Sequence, residues 1–83
     1  MSDNLYEVAS PLMGTFYRSS GPGEPVLVEV GQTITTEDIL CVIESMKIFT
    51  EIRSEHGGVV KEILAENEDL VMKNQALFLI EKA

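Results

Sequence analysis

This chain of 83 residues carries one pattern twice, and for a sequence this short a repeat is the strongest available constraint on the fold. Residues 28–44, "VEVGQTITTEDILCVIE", align without gaps on residues 65–81, "AENEDLVMKNQALFLIE", at an offset of 37 positions. Glu29 falls on Glu66, Ile34 on Val71, Leu40 on Leu77, Ile43 on Ile80 and Glu44 on Glu81. Upstream, "SPLMGTF" (10–16) matches "SEHGGVV" (54–60) at an offset of 44, with Ser10 on Ser54 and Gly14 on Gly58. Two similar halves follow, and the first is longer by the difference of the two offsets, 44 − 37 = 7 residues. The surplus lies between Phe16 and Val28, in "YRSSGPGEPVL", whose serines, glycines and prolines are loop formers. The first half therefore carries a projecting loop that the second lacks.

Within the halves the pattern is of short strands. "YEVAS", "GTFY", "VLVEV", "ILCVI", "KIFTEI", "GVVKEIL", "LVM" and "ALFLIE" are rich in β-branched and aromatic residues and are separated by turn residues. In "KIFTEIR", Ile48, Thr50 and Ile52 share one face, and Phe49, Glu51 and Arg53 the other. "TTEDIL" offers a single helical turn capped by Thr36, too short for a helix. The expected fold is all-β: a flattened eight-stranded β-sandwich or barrel of two quasi-symmetric halves, forming one domain over residues 1–83.

Composition excludes several kinds of function. The net charge is −8, and the six basic residues, Arg18, Lys47, Arg53, Lys61, Lys73 and Lys82, are scattered singly, so neither nucleic acid nor an anionic membrane is an expected partner. The longest apolar run, "ILCVI", is far too short to span a bilayer, and "MSDNLYE" has no leader character. A single cysteine rules out a disulfide framework and favours a reducing, cytoplasmic setting. Cys41 lies in mid-strand and reads as a small buried hydrophobe; His56, the one histidine, reads as a solvated turn residue. The pairs Glu37–Asp38 and Glu68–Asp69 read as turns. Nothing here assembles a nucleophile, a metal site or a phosphate loop, so catalysis by this chain alone is not expected.

One stretch breaks the local rules. "ESMKI" (44–48) joins two strands that are nearly continuous in sequence, which calls for a two-residue hairpin turn with positive φ at both central positions. Those positions are Met46 and Lys47, where Asn-Gly would be at ease. Left-handed backbone at two such residues costs on the order of 1–2 kcal/mol each. A rule broken without local gain points to function. A lysine at a protruding tip offers its amine to another protein, and because only the neutral amine is a nucleophile, the arrangement describes a modification target better than a catalyst.

With these residues in view, the sequence resembles the biotinyl domains of biotin carboxyl carrier proteins of multi-subunit acetyl-CoA carboxylases. "ESMKI" is similar to the family's Glu-Ala-Met-Lys-Met signature, and the likeness continues through "SPLMGTFYRS", "VEVGQTI", "ILCVIESMK" and "GGVVKEILAEN". Ser45 stands where the signature has alanine, and Ile48 where it has methionine. The resemblance implies a barrel-sandwich fold, biotin joined to Lys47 by a biotin protein ligase, and transport of activated CO2 from a biotin carboxylase to a carboxyltransferase that makes malonyl-CoA for fatty acid synthesis. It places Glu44, Ser45, Met46 and Ile48 around the attachment point. It also makes the extra loop, from about Arg18 to Pro25, a thumb over the tethered biotin, with the hydroxyl of Ser19 or Ser20 on its ureido group. Two other readings stand beside it. One is a lipoyl-type acyl carrier, against which Met46 and the thumb argue; the other is an unmodified β-sandwich interaction module.

Overall fold

The computed structural model describes residues 4–83; the first three residues of the expected domain, with part of the N-terminal segment read for a leader, lie outside the described residues. Eight strands run in chain order: β1 (Leu5–Ala9), β2 (Gly14–Tyr17), β3 (Thr33–Ile34), β4 (Ile39–Ser45), β5 (Ile48–Arg53), β6 (Gly58–Ile63), β7 (Leu70–Val71) and β8 (Ala76–Lys82). They form two four-stranded antiparallel sheets, ordered β1-β8-β6-β3 and β5-β4-β2-β7. Adding four to a strand number, or subtracting it, turns one order into the other. The quasi-two-fold expected from the repeat is therefore the symmetry of the fold, realised as a sandwich and not as a closed barrel. Among the described residues, no helix is long and apolar enough to cross a membrane.

The equivalence extends to single hydrogen bonds. Ser10 Oγ donates to Leu12 O, and Ser54 Oγ to His56 O, each at 2.6 Å. The N–H of Phe16 donates to Asp69 O at 2.8 Å, and that of Val60 donates to Gln32 O at 2.9 Å. Bulges recur as well: the ladder skips Leu40 in β4 against β5, and its counterpart Leu77 in β8 against β1. A bulge lets two successive residues face one side, and here Leu40 with Cys41, and Leu77 with Phe78, all reach the core. This is why "ILCVI" and "ALFLI" read as unbroken apolar runs.

The core lies between the sheets. Phe16 and Phe78, one from each half, meet with ring centroids 6.0 Å apart, surrounded by Ile34, Ile43, Val60, Val71 and Ile80. Ile52 is buried whereas Ile48, on the same face of β5, is exposed. The hairpin thus runs beyond the end of the core, which is where a displayed tip must be.

Two expected details differ. "VLVEV" is not a strand: Val26 makes a single bridge with Ser19, and the third strand is instead Thr33–Ile34, paired with β6. The equivalent residues of the second half, 64–67, are not strand either, so this stretch is the connection into a turn in both halves. Nor does "TTEDIL" form a helical turn capped by Thr36. Thr35 is the residue that starts the turn, its N–H donating to Asp38 Oδ2 at 2.8 Å.

Gly14 and Gly58 let neighbouring strands of their sheets approach closely. A Cβ on Gly58 would run into the carbonyl oxygen of Glu81, and one on Gly14 into that of Glu44, the equivalent residue. Both obstacles are backbone, so a strand has to shift. Gly58→Ala is expected to lower stability by about 2 kcal/mol or more, read from urea unfolding. An unchanged midpoint would mean that β8 yields without cost.

Candidate functional site

β4 and β5 pair down to Ser45 opposite Ile48, leaving two residues for the turn. Met46 and Lys47 have φ of 54° and 68°, the positive pair that a type I′ turn demands. The turn type matches the right-handed twist of the strands, and the residues occupying it do not favour it. Met46 is 91% exposed. Lys47 is exposed too, and among the described residues its ammonium has no carboxylate within 4.0 Å. Ile48 and Phe49 continue the exposed apolar surface of the tip. What stands out from the sandwich is a primary amine on a fixed backbone, ringed by hydrophobic side chains.

Beside the hairpin lies an open groove of about 630 Å³ between the outer face of the β5-β4-β2-β7 sheet and the loop that follows β2. Val42, Glu44, Tyr17 and Phe49 line the sheet side, with Ser19 and Ser20 on the loop. The loop is a folded object. Leu27 N–H donates to Arg18 O at 2.8 Å, Glu24 N–H to Gly21 O at 3.1 Å and Ser19 Oγ to Gly21 O at 3.1 Å. Arg18 Nη2 donates to Val28 O at 3.1 Å. Val42, on the outer face of its sheet, is 8% exposed beneath the loop, whereas its counterpart Leu79 is only half-buried. The loop thus acts as a local cover for β4.

On the groove floor the Tyr17 hydroxyl donates to Glu44 Oε1 at 3.2 Å. Removal from water, and then this carboxylate, push the Tyr17 phenol above its ordinary pKa, so it stays a neutral donor. Of the residues expected at the site, Glu44, Ser19 and Ser20 come together in the groove. Ser45, Met46, Lys47 and Ile48 sit on the hairpin at its end. Sequence reasoning missed Tyr17, Val42, Phe49, Asn67 and Glu68, which also line the groove. A signal did exist for Glu68: in the repeat it falls on Gly31, and both have positive φ, 74° and 93°.

The plainer expectations hold for the other chemistry-bearing residues. Cys41 is fully buried, and burial alone pushes its thiol from 9.0 up to about 12. His56 is exposed, with its ring edge-on to Tyr6 at 4.6 Å. Asp38 and Asp69 accept the N–H groups of Thr35 and Glu66, so the acidic pairs are turn formers. Among the described residues, no group of three or more His, Cys, Asp and Glu is placed to hold a metal.

With the displayed lysine and the two equivalent halves described, comparison with known families gives one match over most of the chain. The family described as biotin-requiring enzyme, the biotin/lipoyl domains, matches residues 6–80. The chain belongs to this family. It is 48% identical over 80 residues to the biotin carboxyl carrier protein of acetyl-CoA carboxylase from Nostoc sp., covering 96% of this chain and 44% of that protein. The protein of the same name from Porphyra purpurea is 42% identical over 80 residues, covering 96% and 51%. That from Pseudomonas aeruginosa is 45% identical over 73 residues, covering 88% and 47%. The chain spans about half the length of the curated relatives it matches. Among solved structures, the urea carboxylase of Kluyveromyces lactis superposes with a TM-score of 0.79 at 24% identity, over 96% of this chain and 6% of that one, a likeness of fold.

Two outcomes follow from the site. Replacing Met46-Lys47 by Asn-Gly is expected to stabilise the domain by about 1 kcal/mol or more, because the left-handed cost falls; denaturant unfolding measures it, and no gain would show that the turn is unstrained. Cys41 is expected to resist alkylation at pH 8 until the domain unfolds. Its folded pKa lies above the unfolded 9.0, so its contribution to stability is complete below about pH 9 and is lost as the pH rises towards 12. Rapid labelling of the native thiol would contradict its placement.

Proposed function

We propose that this chain is the biotin carboxyl carrier domain of an acetyl-CoA carboxylase, with residues 1–83 as one biotinyl domain and biotin in amide linkage to Lys47 Nζ. The observation that carries the proposal is the left-handed Met46-Lys47 turn, in which an amine without an ion pair among the described residues stands at the tip of a family biotin/lipoyl domain. The relatives' shared name supports the choice of carboxylase.

The groove fits such a group. Bound biotin supplies a ureido ring that accepts and gives up an activated carboxyl group. The residues of the chain do the holding. Lys47 anchors the arm, and Met46 and Ile48 flank the amine as the apolar surface that a biotin protein ligase meets. Tyr17, Val42 and Phe49 give the groove apolar faces, and Ser19 and Ser20 give it hydroxyls. Glu44 fixes the Tyr17 hydroxyl. No group in this set acts on a substrate bond, in keeping with a non-catalytic carrier whose chemistry belongs to its partners, a biotin carboxylase and a carboxyltransferase, in the cytoplasm. The net charge of −8 suits brief, salt-sensitive contacts with basic faces on those partners.

Co-expression with a biotin protein ligase and biotin, followed by intact mass and a tryptic map, tests the proposal. One biotinyl adduct on Lys47, abolished in Lys47→Arg without loss of folding, is the expected result. An unmodified chain beside a fully labelled control carrier, or lipoate taken up on Lys47 from a lipoyl ligase in its place, would overturn it.

A further inference from the structure

The turns at residues 29–32 and 66–69 are one turn used twice. In each, the first N–H donates to the side chain of the fourth residue: Glu29 to Gln32 Oε1 at 3.1 Å, and Glu66 to Asp69 Oδ2 at 2.9 Å. In each, the fourth N–H donates back to the first carbonyl, at 3.1 and 3.0 Å. The third residue, Gly31 or Glu68, is left-handed and sends its N–H to a strand of the other half, to Val60 O or to Phe16 O. The two turns therefore serve as controls for each other, and the second residue is where they diverge. Val30 is an exposed hydrophobe. Asn67 presents Oδ1 to the N–H of Arg18 at 2.9 Å.

That bond sits where the chain leaves the sheet. β2 ends at Tyr17, whereas Glu62, the residue equivalent to Arg18 at the offset of 44, stays in β6 paired with Leu79. Arg18 is also the root of the loop, since its carbonyl accepts from Leu27 N–H and its guanidinium donates to Val28 O. The half without a thumb thus supplies the side chain that holds the thumb of the other. Asn67 and Glu68 wall the same groove.

We propose that Asn67 is the positioning residue of the thumb: its side-chain oxygen takes the Arg18 amide in place of a strand partner, and so sets the angle at which residues 18–26 stand over the hairpin. The consequence for an arm on Lys47 rests on the function proposed above; the hinge itself does not. The test therefore uses the unmodified 83-residue chain.

Asn67→Leu keeps the side-chain size and removes the acceptor, whereas Asn67→Asp keeps an Oδ acceptor. Amide hydrogen exchange and backbone 15N relaxation are measured on both and on the parent chain. In Asn67→Leu the Arg18 and Leu27 amides are expected to exchange about threefold to tenfold faster, the scale of one lost hydrogen bond. Backbone order is expected to fall across residues 19–26, with the Ile43 and Ile80 amides unchanged. Asn67→Asp is expected to restore the parent pattern. The proposal is overturned if Arg18 and Leu27 exchange as in the parent chain, if every amide speeds up by one common factor, or if Asn67→Asp behaves like Asn67→Leu. Should Asn67→Leu fail to fold, Asn67→Ser, shorter and without an oxygen at that reach, is read by the same criteria.

Discussion

Each half of this chain completes the sheet of the other. Strands β1 and β3 of the first half share a sheet with β6 and β8 of the second, and β5 and β7 share one with β2 and β4. The exchange is sealed at two turns, where Gly31 and Glu68 bond across the halves to Val60 and Phe16, whose own N–H groups return to Gln32 and Asp69. Neither half can satisfy its backbone alone, and an unpaired buried N–H costs about as much as a lost hydrogen bond. For a domain this small, whose core is one layer between two sheets, that reciprocity ties all eight strands into a single cooperative unit.

The proposed site lies where the symmetry fails. At the place in the second half that corresponds to the Met46-Lys47 turn, β8 lies beside β1 and Lys82 N–H donates to Asn4 O. The same geometry in the first half must be closed by a turn, and that turn is the tip carrying Lys47. The thumb is a second departure, and Asn67 and Glu68 are its echo in the other half. A symmetric scaffold thus concentrates its unusual chemistry on one face, where hairpin, groove and loop meet. The strain of two left-handed residues at the tip is borne by the well-paired ladder of β4 and β5 behind it.

The burial pattern agrees with a part that works by being presented to partners. Cys41, the most reactive side chain in principle, is sealed in the core and kept protonated by burial. The exposed apolar residues Met46, Ile48 and Phe49 cluster on the hairpin next to the amine. On the groove floor Tyr17, its phenol held above the ordinary pKa, donates its hydroxyl to Glu44. Groove floor, folded cover and displayed lysine lie side by side on one face, the arrangement on which the proposed carrier role rests.

Much of this was legible in the sequence. The repeat determined the two-fold, since residues that align at offsets of 37 and 44 occupy equivalent places down to Ser10 and Ser54, and the mismatch of the two offsets located the thumb. The "SMK" tip declared itself because a two-residue turn has few solutions and Met-Lys is a costly one. These are local or self-referential signals, which is why one sequence suffices to carry them. The tertiary structure alone decided that "VLVEV" is loop and Thr33–Ile34 is strand, because pairing depends on which partner is within reach and not on β-propensity. It alone brought Tyr17, Phe49 and Asn67 into one groove, since contacts between residues tens of positions apart leave no periodic trace in the chain. A strand's sequence tells which face wants burial; what covers that face is settled only when the chain has closed on itself.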